Sequence, residues 1–351
     1  MATYLNEVLK YQQKSKEIAE VSIVLSDFEV SKEDYEYTNS YFYNYIRKPK
    51  YFINALREIN KVVREENPDI IHLHSTFAGL FARIPLFLKK KKPLVIYCSH
   101  GWSFTMDIPS WKKKIYGMVE YLLATKTDLI INISENELNQ SRNYNIPENK
   151  STVIYNGIEE KVQNKPQETP RINIDPTKIN LLFIGRFDTQ KGIDILIDFF
   201  TENKFDHIQL YLIGGSVLND TSLILPDNMI SLGWVNNEKI DSYYQLFDAV
   251  IIPSRWEGFG LVAIEAMRNK KALIVSNRGA LPEIVERGSN GYVFNIEDIN
   301  TLKEILLSTN KEQLVTMGER GYKIFLDKFT SLNMNKEIIR QYRFLIHNIQ
   351  K

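Results

Sequence analysis

Short apolar runs rich in Val, Ile and Leu alternate with longer amphipathic segments along the whole chain, and this alternation limits the possible folds most strongly. Such a pattern is typical of βαβ units, in which helices cover both faces of a parallel sheet. The first series of predicted strands is Val21–Leu25, Ile70–His74, Leu94–Ser99, Leu129–Ser134 and Thr152–Tyr155. The second series is Asn180–Ile184, Gln209–Ile213, Met229–Leu232, Ala249–Ile252, Ala272–Ser276 and Tyr292–Phe294. The sequence therefore predicts an α/β protein with two doubly wound, Rossmann-like domains.

A polar stretch without periodicity, Glu159–Lys178, contains three prolines and separates the two series of strands. We place the boundary inside it, which gives domains over residues 1–168 and 169–330. The remaining segment, 331–351, has a helical pattern and is expected to pack back on the N-terminal domain. The first domain opens with a helical pattern, so we expect it to lack the first strand that a doubly wound domain usually has.

Composition excludes several classes of protein. The chain has 351 residues with 44 Lys and Arg against 43 Asp and Glu, so no basic excess points to nucleic acid as a partner. Its single cysteine, Cys98, excludes an intrachain disulfide and indicates a reducing compartment. The apolar runs are far shorter than the roughly 20 residues of a membrane span. We therefore expect a cytoplasmic protein.

The richest stretch, Ser254–Met267, follows a predicted strand and opens a helix near Gly260. Glycines let a ligand approach the backbone, and the free N–H groups of a first helical turn suit negative charge. Glu257 precedes this helix and Glu265 lies about two turns along it, so both carboxylates can accept hydrogen bonds from hydroxyl groups of one ligand. A glycine-rich turn with two solvated glutamates would show the same spacing.

The same stretch fits a dinucleotide fingerprint, because Gly258–Ala263 reads G-x-G-x-x-A and Arg278 lies about 20 residues further on. Against this interpretation, Ser254–Glu257 separate the strand from the first glycine. An NADP-linked oxidoreductase stays open as an alternative. A catalytically inactive nucleotide-binding module is the other alternative, because the first domain lacks its usual first strand.

Two further turns follow neighbouring strands of the second domain. A strand ends at Gly185, Arg186 follows it, and Lys191 enters the next helix near its N-terminus. Two cations beside a helix N-terminus can bind a diphosphate, although a solvated loop would look the same. A turn at Gly214 follows another strand, and in an open parallel sheet such turns share one edge.

Together these stretches resemble the nucleotide-sugar-binding domain of glycosyltransferase family 4, retaining enzymes with the GT-B fold. Glu257 and Glu265 have the family's E-x7-E spacing, and GRFDTQKGID resembles its donor-binding loop. The resemblance extends from about residue 68 to the end of the second domain. It implies two domains facing across a cleft. It also implies transfer of a sugar from a nucleoside diphosphate sugar to a hydroxyl of a glycan or lipid-linked acceptor, in assembly of capsule, lipopolysaccharide or exopolysaccharide.

The resemblance also implies a role for individual residues. Arg186 and Lys191 would neutralise the leaving diphosphate. Glu265 would accept hydrogen bonds from the ribose, Glu257 would hold a hydroxyl of the donor sugar, and His100 would meet that sugar across the cleft. Of these, Glu257, His100, Arg186 and Lys191 are the predicted catalytic residues. The other predicted donor-binding residues are Gly185, Gly214, Trp234, Val235, Gly258, Phe259, Gly260 and Leu261.

No Asp-x-Asp triplet, the spacing with which many sugar transferases of another fold hold Mg²⁺ or Mn²⁺, occurs in the chain. No tight Cys/His motif suggests zinc either. We therefore expect no metal and no other cofactor, with cationic side chains in place of a metal.

Lysine runs at Lys89–Lys92 and Lys112–Lys114 lie near Trp102 and Trp111. Basic and aromatic residues in this combination can bind an anionic membrane surface, here the inner face of the plasma membrane. A solvated charged face would have the same composition.

Overall fold

The computed structural model describes residues 2–28, 39–46, 48–89, 92–160, 170–215 and 224–349. The chain divides into two compact units. The first comprises Met1–Tyr155 with Met334–Lys351, and the second comprises Asn156–Asn333.

Parallel strands and flanking helices form the first unit. Its strands are β1 (Ser22–Ser26), β2 (Asn39–Tyr43), β3 (Ile70–His74), β4 (Leu94–Cys98), β5 (Leu129–Asn132) and β6 (Ser151–Val153). Its helices in this part of the chain are α1 (Ala2–Lys14), α2 (Phe52–Glu66), α3 (Thr76–Arg83), α4 (Ser110–Ala124) and α5 (Glu135–Arg142). Strands β3 to β6 form one parallel sheet in chain order, while β1 and β2 form a separate parallel pair. As expected, β1 follows a helix.

The second unit contains one six-stranded parallel sheet in the order β12-β11-β10-β7-β8-β9. These strands are β7 (Ile179–Ile184), β8 (Ile208–Ile213), β9 (Met229–Gly233), β10 (Ala249–Ile252), β11 (Ala272–Ser276) and β12 (Gly291–Phe294). Its helices are α6 (Ile193–Glu202), α7 (Ile240–Tyr244), α8 (Leu261–Arg268), α9 (Leu281–Ile284), α10 (Asn300–Ser308) and α11 (Lys311–Lys328). The last helix, α12 (Ser331–Ile349), begins in this unit and continues in the first.

The central strands of the second unit are apolar along their whole length because helices cover both faces of the sheet. Leu181, Leu210 and Ile274 are fully buried in its core. Burial of one such side chain contributes roughly 1.5–3 kcal/mol to the free energy of unfolding. Among the described residues no helix is both long and apolar enough to cross a bilayer.

The chain divides earlier than we expected from the sequence. The predicted boundary after residue 168 lies outside the described residues, and the division falls between Tyr155 and Asn156. Residues just after Asn156 belong to the second unit because Ile158 forms a β-bridge with Thr330 and accepts a hydrogen bond from the Ser331 N–H.

The C-terminal helix α12 belongs to the first unit from Met334 onward. Asn335 donates a hydrogen bond to the backbone carbonyl of Glu7 at 3.2 Å, and Gln12 donates to the Tyr342 hydroxyl at 3.1 Å. These bonds join the helix at the end of the described chain to α1 at its beginning.

Candidate active site

The three turns with predicted donor-binding residues lie at the carboxyl ends of three adjacent strands. Gly185 follows β7, Gly214 follows β8, and the loop Pro253–Gly260 follows β10, which neighbours β7 on its other side. The structure therefore brings the three predicted turns to one edge of the sheet. In open α/β sheets this edge is where ligands bind.

Close backbone packing at this edge requires glycine at Gly214. Its φ is +141°, and a Cβ there would lie 1.8 Å from the carbonyl oxygen of Gly185. Gly260 has a φ of +101° and lies immediately before α8. Backbone N–H groups are thus available to a ligand at the start of that helix.

Lys191 and Glu257 form a direct ion pair at this edge. The Lys191 Nζ lies 2.7 Å from Glu257 Oε2, and both side chains are largely buried. Ser254 Oγ donates to the same carboxylate oxygen at 3.2 Å. The two residues that sequence analysis assigned to the diphosphate and to the sugar are therefore one coupled pair.

Arg186 is more exposed than Lys191. Its guanidinium lies 3.0 Å from the Asp188 carboxylate and donates to the Gln190 side-chain oxygen, also at 3.0 Å. Half of the Arg186 side chain is solvent-accessible. The guanidinium therefore combines positive charge with access, as the binding of an anionic ligand requires.

Arg255 connects the loop after β10, which carries Glu257, with the loop and first turn that begin α6. It was not among the residues predicted from the sequence. Its guanidinium makes two hydrogen bonds to the Asp194 carboxylate, at 2.7 and 2.6 Å, and the backbone N–H of Arg255 donates to the Gln190 carbonyl. The partners are separated by 61 residues. Nothing in their local spacing signals the pair.

Glu265 lies on α8 beside Tyr244, whose hydroxyl donates to Glu265 Oε2 at 3.3 Å. Burial raises the pKa of Glu265 above its ordinary value, although Arg268 and the Tyr244 hydrogen bond oppose this shift. Tyr244 is fully buried and is a second residue that sequence analysis missed. The carboxylate is therefore held in one place and can accept further hydrogen bonds from a ligand.

The remaining predicted donor-binding residues differ in how exposed their side chains are. Trp234 directly follows β9 and is 73% exposed, with Val235 partly buried beside it. Phe259 is buried and packs against Phe329, with ring centroids 5.8 Å apart. The Phe259 side chain thus belongs to the core, and its backbone is the part near the turn.

His100 lies in the first unit, two residues after the end of β4, in a loop that is hydrogen-bonded to Glu137. The Glu137 carboxylate accepts hydrogen bonds from Ser99 Oγ at 2.9 Å, from the Gly101 N–H at 2.6 Å and from the Ile133 N–H at 2.7 Å. Glu137 was not among the residues predicted from the sequence. A signal was present, since Ser134 caps α5 and Glu137 stands three residues later, the pattern of a capping box.

Two family models match consecutive parts of this chain. The model described as Glycosyltransferase Family 4 matches residues 1–162, and the model described as Glycosyl transferases group 1 matches residues 164–324. A Klebsiella pneumoniae protein described as an uncharacterized 41.2 kDa protein in the cps region is 37% identical, covering 81% of each chain. An uncharacterized glycosyltransferase of Methanocaldococcus jannaschii is 32% identical, covering 86% of this chain and 84% of its own.

This chain belongs to the glycosyltransferase family 4 group. The crystal structure of Anabaena HepE in complex with UDP-glucose is similar in fold, with a TM-score of 0.76 at 18% identity over 97% of this chain and 94% of that one. Both units have the parallel α/β architecture of GT-B enzymes.

The spacing of the glycines in this glycosyltransferase does not support dinucleotide binding. The fingerprint places its first glycine directly at the end of a strand. Here Pro253–Glu257 separate the end of β10 from Gly258. Arg278, the candidate for the extra phosphate of NADP, forms an ion pair with Glu297.

Only some of the residues predicted to form a basic and aromatic surface are exposed in the structure. Trp102 does not contribute to it, because the ring is 1% exposed and its indole N–H donates to Asn132 at 3.1 Å. Trp111 is 61% exposed at the start of α4. Lys90 and Lys91 lie outside the described residues. An apolar stripe, which we call the α4 stripe, is exposed along this helix and comprises Trp111, Ile115, Met118 and Leu122.

Proposed function

We propose that this glycosyltransferase moves a sugar from a nucleoside diphosphate sugar to a hydroxyl of a glycan or lipid-linked acceptor, with retention of configuration, in assembly of a surface polysaccharide. The observation that carries the proposal is the cluster of Arg186, Lys191 and Glu257 at the carboxyl edge of β7 and β10. It combines positive charge for a diphosphate with a carboxylate for sugar hydroxyls.

The chemistry would be attack by the acceptor hydroxyl on the same face of the sugar from which the diphosphate departs. Negative charge grows on the leaving diphosphate as the bond breaks, and Arg186, Lys191 and the N–H groups at the start of α8 stabilise that charge. Glu257 is close enough to Lys191 to orient its ammonium group. Glu265 accepts hydrogen bonds from the ribose, and no metal takes part.

The relatives support the nature of the substrates. The cps-region relative from Klebsiella supports a role in surface polysaccharide assembly, and HepE with UDP-glucose supports a uridine donor. The α4 stripe beside Lys112 and Lys114 supports an acceptor that is carried on a membrane, because exposed apolar side chains next to basic ones suit an anionic lipid surface. The contact of His100 with the donor sugar stays a prediction.

Transfer with defined substrates tests this proposal. The purified chain is incubated with UDP-, GDP- and ADP-sugars and a matched acceptor, with and without EDTA. We expect one donor class to give product whose new bond keeps the donor's anomeric configuration by NMR, at a rate that EDTA does not change. An inverted product, or a loss of activity with EDTA that Mg²⁺ or Mn²⁺ restores, would contradict the proposed mechanism.

A further inference from the structure

Three side chains that commonly bind metals converge in the first unit, at the carboxyl ends of β3 and β4. His74 and Cys98 are register partners on these two parallel strands, so their side chains emerge on the same face of the sheet. His100 follows shortly after with a φ of +54°, a left-handed conformation that is uncommon for residues other than glycine. One potential ligand atom of each residue lies within 4.8 Å of the other two.

The separations are close to those around a tetrahedral ion. With Zn–N bonds of about 2.0–2.1 Å and a Zn–S bond of about 2.3 Å, ligand atoms around one zinc lie roughly 3.3–3.6 Å apart. His74 Nδ1 and His100 Nε2 are 3.0 Å apart in the structure and share a hydrogen bond. Side-chain adjustments of about 1 Å would therefore bring all three atoms to bonding distance of one ion.

The surroundings keep the imidazoles neutral. Burial lowers the pKa of His74 to about 3 and lowers the pKa of His100 well below its ordinary value. Burial also raises the pKa of the fully buried Cys98 thiol. Neutral imidazoles can bind a metal directly, so the thiol is the one group of the three that must lose a proton when an ion binds.

Two buried polar atoms next to the cluster have no hydrogen-bond partner within the part of the chain that the structure describes. They are Tyr4 Oη and His72 Nε2. The Tyr4 ring packs edge-on against His74 and His100, with centroids 5.4 and 4.5 Å away, and the His72 ring centroid is 4.1 Å from that of His74. Buried polar atoms are normally paired, so these two atoms are candidates for contact with a ligand bound at the cluster.

The geometry points to a binding site for a zinc-like divalent transition metal, held by His74, Cys98 and His100. One thiolate and two imidazoles favour Zn²⁺ or Co²⁺ over Mg²⁺, which prefers oxygen ligands. The site goes beyond the proposed function, in which no metal takes part. Binding of the ion releases the Cys98 proton to solvent.

Cobalt spectroscopy on the full chain tests the site without reference to transfer activity. Protein treated with EDTA and dialysed is titrated with Co²⁺ alone. We expect a near-ultraviolet sulfur-to-cobalt charge-transfer band and visible tetrahedral bands that saturate at one equivalent and are displaced by Zn²⁺. Absence of these bands at one equivalent would overturn the site.

Variants identify the ligands in the same experiment. Cys98→Ala should lose the charge-transfer band, and His74→Gln should bind at least tenfold more weakly, with thermal melts to check that both fold. His347, which is exposed on the last turn of α12, provides the matched control, and His347→Gln should bind as the parent does. Unchanged visible bands in His74→Gln, or their loss in His347→Gln, would overturn the assignment even if Cys98→Ala fails to fold.

A consequence for activity rests on the proposed function. A metal that occupies a His100 nitrogen removes it from contact with a donor sugar, so one equivalent of Zn²⁺ should inhibit transfer by the parent but not by Cys98→Ala. Equal inhibition of both proteins would overturn this consequence. Absence of transfer in every protein would count against the proposed function, while the cobalt bands would still decide the metal site.

Discussion

At the scale of single residues, the pairing of Lys191 with Glu257 makes each charge dependent on the other. The two groups are 2.7 Å apart and largely shielded from solvent, so removal of one leaves the other unpaired. A diphosphate that approaches Lys191 therefore also changes the environment of Glu257. The two residues are expected to act as one unit, and a double-mutant cycle measures their coupling.

The first prediction concerns Lys191. We expect Lys191→Ala to lower kcat/KM for the donor by about 10²–10³-fold, because it removes the charge that in the proposed function stabilises the leaving group. Steady-state kinetics measure the change. Lys204→Ala is the matched control, since Lys204 is an exposed lysine just beyond the other end of α6. A Lys191→Ala activity within about threefold of the parent would remove Lys191 from the site.

The second prediction concerns the pH dependence of Glu265. Burial raises its pKa, and only the ionised carboxylate accepts hydrogen bonds fully from a ribose. UDP affinity should therefore fall as the pH drops through this raised pKa. Titration calorimetry measures the UDP affinity between about pH 4 and pH 8, a range chosen to include a raised carboxyl pKa. Glu265→Gln should bind UDP more weakly and show no such dependence.

The raised pKa of Glu265 also makes the free energy of unfolding depend on pH. A raised pKa in the folded state means that the folded protein holds the proton more tightly than the unfolded chain does. The free energy of unfolding should therefore fall as the pH rises from the ordinary glutamate pKa through the raised one. Glu265→Gln should lack this fall. A parent and variant with parallel stability curves would contradict the assigned shift.

At the scale of elements, the N-terminus of α5 positions the loop that carries His100. The Glu137 carboxylate accepts from Ser99, Gly101 and Ile133, so one side chain joins the helix to the ends of β4 and β5. We expect Glu137→Gln to lower the free energy of unfolding by about 1–3 kcal/mol, because an amide cannot accept all three bonds.

Denaturant unfolding measures the effect of Glu137→Gln. Glu135→Gln is the matched control, because Glu135 lies in the same first turn but is exposed. If His100 meets the donor sugar, Glu137→Gln should also lower kcat while leaving UDP affinity unchanged. Equal stability of the two variants would show that the Glu137 hydrogen bonds contribute nothing measurable.

Helix α4 carries the next prediction at this scale. The α4 stripe presents apolar side chains at a helical spacing next to Lys112 and Lys114, which are also exposed. We expect co-sedimentation with vesicles that contain anionic lipid and weaker binding as salt rises, since screening is strong beyond about 10 Å at 0.1 M. Trp111→Ser should reduce binding. Equal binding to neutral vesicles would contradict an electrostatic contribution.

At the scale of the whole molecule, the strand series and the shared edge of the three turns with predicted donor-binding residues were predictable. Apolar runs such as that of β7 and their order predict parallel strands, and parallel strands place their following turns at one edge. The strand β2 was missed because its sequence, NSYFY, lacks the aliphatic run that marked the others. The Arg255–Asp194 and Tyr244–Glu265 pairs were missed because tertiary packing, not spacing, brings these residues together.

The cluster of His74, Cys98 and His100 could not be predicted from sequence spacing either. These residues lie on two strand ends and a following turn, so they form no short motif, and parallel register alone places His74 beside Cys98. The division between the units could not be placed from composition either. The polar stretch Glu159–Lys178 marks where the alternation of strands and helices stops. The residues just before it belong to the second unit because Ile158 forms a bridge with Thr330.

The central claim is that the carboxyl edge of the second unit binds the diphosphate of a nucleotide sugar. Isothermal titration of the EDTA-treated full chain with UDP, GDP, ADP and NADP measures this directly. We expect saturable binding of one nucleoside diphosphate, weakened at least about tenfold in both Arg186→Ala and Lys191→Ala and unchanged in Lys204→Ala. Binding of NADP alone, or of a diphosphate with equal affinity in all four proteins, would contradict it.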